Sequence, residues 1–206
     1  MKIKAVAGLI GSGNCIYSYI YKGVQWLGDG RCLYPMHSLP TLDEAGVKAL
    51  LDIADKKKDK TFLHTIKEIG VNLDDYDPKE RELERSGYII TYAGRQLTPY
   101  TSGEGILYFD ASYLKPVKDM EQLSLFVRYG TDGRPYIAIK AGMLLVGICL
   151  PEDCINKGFI DTLTAMAAGS RRSLEWMKRR KREQAEDGYE QSEFTFGEVE
   201  EDNEQQ

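Results

Sequence analysis

Residues 123–151 read LSLFVRYGTDGRPYIAIKAGMLLVGICLP. Two apolar runs, Leu123–Tyr129 and Tyr136–Lys140, flank Thr131-Asp132-Gly133-Arg134. Glycine accepts the positive φ that a tight hairpin imposes, so an Asp-Gly pair between such runs predicts an antiparallel hairpin. Met143–Leu150 is apolar throughout, as expected of a strand buried on both faces, and Pro151 ends it. The same logic applies near the N-terminus, where Val24–Leu27 and Cys32–Met36 flank Gly28-Asp29-Gly30-Arg31. With the alternating Lys2–Val6 and the Ile/Tyr-rich Cys15–Tyr21, residues 2–36 read as strands.

Between these hairpins the pattern changes. Pro40 closes the extended run, and Thr41 with Glu44 three residues on has capping-box spacing. Val47, Leu50, Leu51 and Ala54 then keep helical spacing, with Lys56–Lys60 as the frayed end and a turn. A strand is expected around Thr61–Ile66. Residues 70–87 are poor in apolar side chains and read as an exposed loop. Strands are expected again at Tyr88–Tyr92, Gln96–Thr101 and Ile106–Phe109, with a turn at Ala93-Gly94 and a short helix at Ala111–Lys118. Ile155–Arg182 reads as a long helix carrying Phe159, Leu163, Met166, Leu174, Trp176 and Met177, weakened near Gly169-Ser170. The class is therefore α+β: mainly antiparallel sheet with two short helices, a long C-terminal helix and a disordered acidic tail. Expected boundaries are 1–154, 155–182 and 183–206.

Charge is unevenly laid out. The net charge is −5, yet residues 183–206 hold ten acids and no Lys or Arg, so the remainder has 27 basic against 22 acidic residues. That remainder reads as a mildly basic body with its own anionic competitor attached. A solubilising tail is the simpler account of the same residues. The densest basic cluster is Arg171, Arg172, Lys178, Arg179, Arg180, Lys181 and Arg182. At helical spacing it wraps much of the helix and suits phosphate contacts indifferent to sequence, though a helix C-terminus favours cations in any case.

Other signals point away from chemistry. Gly8-Leu9-Ile10-Gly11-Ser12-Gly13-Asn14 lacks the Lys-Ser/Thr of a phosphate loop and leads into an extended segment, so it reads as a turn. Cys15, Cys32, Cys149 and Cys154 have no C-x-x-C spacing, and His37 and His64 stand apart, so neither a metal site, a cofactor nor a disulfide is expected. Asp74, Asp75 and Asp77 lack the glycine and terminal Glu of a calcium loop. No nucleophile–base pair stands out, so the expectation is a protein without enzymatic activity. The longest apolar stretch, Gly142–Leu150, is about half of the ~20 residues a bilayer demands, and no signal segment is evident. A cytoplasmic protein with no membrane partner is expected.

Two stretches carry resemblances. Gln122-Leu123-Ser124-Leu125-Phe126 resembles the short peptide by which bacterial replication proteins dock on the sliding clamp, although its continuation into Val127–Tyr129 also reads as a core strand. From Ile106 to Glu152 the chain resembles the last repeat of a bacterial DNA sliding clamp, with Tyr113-Leu114 and Leu150-Pro151 matching its signature positions. The Gly28–Tyr34 hairpin and the helix after it resemble a second such half-unit. The whole chain is also similar to proteins of phages and prophages of Gram-positive gut bacteria. The clamp resemblance implies two half-units in one domain and a homo-oligomeric ring around double-stranded DNA. It also implies Lys48, Lys56, Lys57, Lys58, Lys115 and Lys118 as lining residues for a replication or processivity role. The alternative is an inhibitor or adaptor. It would bind a host protein, either the host clamp through Gln122, Leu123, Leu125 and Phe126 or a host-defence nuclease through the acidic tail.

Overall fold

In a computed structural model, residues 1–186 are described, apart from Ser12 and Ala93. The chain divides into a unit of Met1–Cys154 and a second beginning at Ile155. The first unit opens with helix α1 (Ile3–Ile10), followed by strands β1 (Cys15–Tyr21), β2 (Val24–Gly28) and β3 (Cys32–Pro35). Helices α2 (Glu44–Leu50) and α3 (Asp55–Lys58) precede β4 (Phe62–Thr65). Two short strands, β5 (Arg81–Glu82) and β6 (Glu84–Arg85), are followed by β7 (Ile90–Tyr92), β8 (Arg95–Thr101) and β9 (Ile106–Asp110). A 3-10 turn over Ala111–Leu114 leads to β10 (Leu123–Tyr129), β11 (Pro135–Ala141) and β12 (Leu144–Cys149).

Eight strands form one mixed sheet in the order β4-β1-β2-β3-β12-β11-β10-β5, and β6 to β9 form a separate antiparallel sheet. Both Asp-Gly hairpins are present, β10 on β11 and β2 on β3. At the second, Asp29 accepts from the amides of Arg31 and Cys32 at 2.8 and 2.9 Å. Gly28 is obligatory there, because a Cβ would lie 1.6 Å from the Cys32 carbonyl oxygen. Lys22 and Gly23 both have positive φ (49° and 78°), the two-residue turn that matches the twist of β1 and β2. The pair β1–β4 is parallel, so the sheet is mixed. A parallel neighbour needs a crossover, and α2 and α3 lie on it.

The large sheet buries both faces. On one, Val6, Ile10, Ile16, Tyr34, Val47, Phe109, Val127 and Ile139 belong to a single apolar cluster drawn from α1, α2 and both sheets. On the other, Trp26, Leu33, Leu73, Tyr136, Ala138 and Ile148 pack with Ile69 and Val71 of the segment after β4.

Several expectations are corrected. Residues 3–10 are helical rather than extended. Ile3, Val6, Ala7 and Ile10 have i, i+3, i+4, i+7 spacing, and Val6 and Ile10 are fully buried. Gly8 therefore lies in a helix, and the chain runs helix to strand, opposite to a phosphate loop. The cap of α2 is Asp43, whose carboxylate accepts from the Gly46 amide at 2.8 Å, and Thr41 lies outside the helix. The helix stops at Leu50, with Asp52 left-handed at φ 51°. Ala111–Lys118 forms only one 3-10 turn, because Pro116 cannot donate to continue it. Residues 70–87 are not a free loop, since Leu73 and Leu83 are buried and β5 and β6 join the two sheets.

The second unit carries helix α4 (Lys157–Glu186), 30 residues and about 45 Å long. Asn156 caps it, accepting from the Phe159 amide at 3.0 Å. It runs unbroken through Gly169-Ser170 and extends past the expected end at Arg182. The rest of the acidic segment, 187–206, lies outside the described residues. Among the described residues no helix is long and apolar enough to cross a membrane.

Candidate functional site

The most heavily buried charges lie in the first unit. Arg128 and Lys140 are 1% and 4% exposed, on neighbouring strands β10 and β11. They converge on one carboxylate: Arg128 Nε donates to Glu80 Oε2 and Lys140 Nζ to Glu80 Oε1, each at 2.8 Å. The remaining guanidinium hydrogens reach the carbonyls of Asn72, Asp74 and Asp75. The Tyr136 hydroxyl donates to the Asn72 carbonyl and accepts from its amide, and Asp75 accepts from the Leu145 amide at 2.7 Å. Lys140 also stands 4.9 Å from the Phe126 ring centre. Every group is engaged, so the network pins the acidic segment 72–80 over the sheet and offers no vacant site for a substrate. The sequence signal was an Arg and a Lys set among apolar strand residues. Its carboxylate, 48 residues away from Arg128, carried none.

A cavity of about 320 Å³ opens beside β3 and β12, lined by Tyr17, Leu33, Ile69, Tyr136, Ile148 and Leu150. Arg31 at its edge is bound to Glu152 at 2.5 Å, a carboxylate that Arg95 shares at 2.9 Å. Burial pushes the Cys32 and Cys149 thiols up, which makes them poor nucleophiles. The cavity brings no acid–base pair together.

The proposed lining lysines fall in two stretches, Lys48 with Lys56–Lys58 and Lys115 with Lys118. Lys48 is paired with Glu44 at 2.8 Å and donates to the Lys58 carbonyl, and Lys58 is paired with Asp55 at 2.7 Å. Lys56 and Lys57 are exposed on α3, and Lys115 and Lys118 are exposed beyond the 3-10 turn. The two groups lie by opposite ends of α1. Lys2, before that helix, donates to the Pro116 carbonyl, whereas Gly11, after it, meets the Ile53 side chain. Eight helical residues separate them by about 12 Å. The charge reading is corrected as well: residues 1–154 hold 19 basic and 20 acidic side chains, so the first unit is close to neutral. The cationic excess belongs to residues 155–182, with eight basic and two acidic.

The docking-peptide reading is overturned by strand pairing. Gln122, left-handed at φ 53°, accepts from the Gly142 amide, and Leu123 pairs with Ala141. Leu125 is 7% exposed in the core, and Phe126 pairs with both Ala138 and Glu82. Strand β10 is thus hydrogen-bonded along both edges, and no extended peptide is free to leave.

Helix α4 is where the sequence-predicted cations gather. Arg171, Arg172, Lys178, Arg179, Arg180, Lys181 and Arg182 are all exposed. At 3.6 residues per turn, Arg171, Arg172, Lys178, Arg179 and Arg182 share a sector of about 120°, with Glu175 among them. Arg180 lies over the Trp176 ring at 4.7 Å, and Lys181 stands on the other side. Roughly opposite that sector, Leu163, Met166, Ser170, Leu174 and Met177 fall within about 80° of one another. Met166, Leu174 and Met177 are 64%, 53% and 47% exposed. The helix is amphipathic, with a cationic back. Comparisons with family models, with curated proteins and with solved structures gave no match.

Proposed function

We propose that this protein is a non-enzymatic, nucleic-acid-associated protein that holds the phosphates of double-stranded DNA on the cationic sector of α4. One observation carries the reading: seven exposed cations within Arg171–Arg182, beside a first unit with no net positive charge. Lysine and arginine at this density displace condensed counterions from a duplex without reading its bases. A role in replication for a phage or mobile element is the setting that the resemblances imply. The clamp-type half-units are the finer reading of the α+β fold, supported by the hairpin–helix order of Val24–Leu50 and the turn–hairpin order of Ala111–Ala141. The contact is assigned to α4 rather than to a ring lining, because Lys48 and Lys58 are engaged with Glu44 and Asp55.

The test is duplex-DNA binding by the full chain and by a chain truncated after Arg182, measured across a salt series. Truncation removes ten acids and is expected to strengthen binding, which then weakens with added salt. No binding by either chain would overturn the proposal.

A further inference from the structure

A 30-residue helix whose side chains from Arg171 to Ala185 are all exposed has little to sustain it. Helices owe most of their stability to packing of an amphipathic face, and Thr162, Thr164, Gly169, Ser170 and Ser173 lower the intrinsic propensity here. The stripe of α4 therefore calls for a partner, and its arrangement identifies one. Leu163, Met166, Ser170, Leu174 and Met177 are spaced symmetrically about Ser170, at four and seven residues on either side. Run antiparallel against itself, the stripe sets Leu163 against Met177 of the second copy and Met166 against Leu174, with Ser170 facing Ser170.

Charge and size agree with that pairing. Six of the helix's cations, Lys157 with the five of the cationic sector, lie away from the stripe. Lys181, eleven residues past Ser170, lies on it, but antiparallel pairing sets it against Phe159 of the second copy, so no two cations meet at the seam. Seven cations fall in residues 171–182, against one in 157–170. A parallel pair would lay both cation-rich halves side by side, whereas an antiparallel pair sets each beside the near-neutral half of its mate. Ser170 at the centre and Ser173 at the edge of the stripe let the two backbones come close. The stripe's 3-4-4-3 spacing covers 14 residues in four steps, a 3.5-residue period with Leu163, Ser170 and Met177 seven apart, which suits a gentle left-handed supercoil of the two helices.

We infer that α4 is a dimerisation element, joining two copies of this chain in an antiparallel helix pair with its two-fold axis at Ser170. The stripe remains uncovered when phosphates occupy the opposite sector, so the inference goes beyond the nucleic-acid reading and does not rest on it. The pair presents a cationic patch towards each end of the joined helices, facing away from the seam.

The test uses the full chain without nucleic acid. Sedimentation equilibrium at micromolar concentration is expected to give a dimer that persists between about 0.1 and 0.5 M salt, since the seam is apolar and no two cations meet on it. Leu174→Gln with Met177→Gln leaves every cation in place and is expected to give a monomer. Oxidative cross-linking reads the geometry without disturbing the seam, with the wild-type chain as control. Ser170→Cys is expected to cross-link, because the two sulfurs meet on the axis. Met177→Cys is not, because its two copies lie about 21 Å apart along the helices. A monomer at every concentration overturns the inference. So does cross-linking of Met177→Cys as readily as Ser170→Cys, or a monomer that floats with anionic phospholipid vesicles.

Discussion

Glu80 is the carboxylate that Arg128 and Lys140 share, and Glu80→Ala would leave two buried cations behind. Arg128 would keep three carbonyl oxygens, whereas Lys140, among the described residues, would keep the face of Phe126. Breaking a buried ion pair by removing one partner costs about 3–5 kcal/mol, because the charge left over has lost its water as well as its mate. With one carboxylate serving two cations, the expected loss is in the upper half of that range, about 4–5 kcal/mol. At a urea m-value of about 2 kcal/mol/M, this moves the unfolding midpoint down by roughly 2 M. Fluorescence of Trp26, 3% exposed on the same sheet face as Tyr136, reports the transition. The triple variant Glu80→Leu, Arg128→Met, Lys140→Met removes all three charges together and is expected within about 1 kcal/mol of wild type, since no ion is left unpaired. A loss below about 1 kcal/mol for Glu80→Ala alone would refute the argument, because the cations would then have recovered water or another partner.

Asp77 and the thiols give two further checks. Burial would by itself raise the Asp77 carboxyl, but the Lys79 amide, the Asn72 side chain and the Arg128 charge outweigh it and hold the group below its ordinary range. The unfolded chain therefore takes up this proton more readily. The stability gained is complete above the ordinary carboxylate pKa of about 4 and is lost as pH falls through the lower folded value. Asp77→Asn should flatten the acid limb of a stability–pH curve below about pH 4; an unchanged limb would count against the assignment. Of the four cysteines only Cys15 is partly exposed, so a native-state thiol titration should show one fast group, and four after unfolding.

Much of the first unit was legible because its turns are chemically explicit. Asp29-Gly30 and Asp132-Gly133 announce hairpins in any context, whereas the apolar 143–150 run is buried only over 145–149, with Met143, Leu144 and Leu150 exposed. Helix α1 was missed because five residues of alternation, Lys2–Val6, outweighed the longer 3-4 spacing through Ile10. The Glu80–Arg128–Lys140 network was illegible for another reason: pairing across 48 and 60 residues depends on strand order, and nothing local encodes it. The cationic candidate site was legible in composition but assigned to too much of the chain. Dividing the charge at Cys154, where the first unit ends, moves the excess from the body to α4. Of the two readings of Gln122–Phe126, the core strand is the one found, bonded on both edges.

The claim that matters most is that the cationic sector of α4 meets nucleic-acid phosphates. Its most direct test is the slope of log K for duplex DNA against log salt, using the chain that ends at Arg182. Four or five phosphates neutralised by Arg171, Arg172, Lys178, Arg179 and Arg182 predict a slope of roughly −3.6 to −4.5, and replacing all five by Gln should bring it to about −1 or shallower. An unchanged slope in that variant, with the fold intact, would contradict the account.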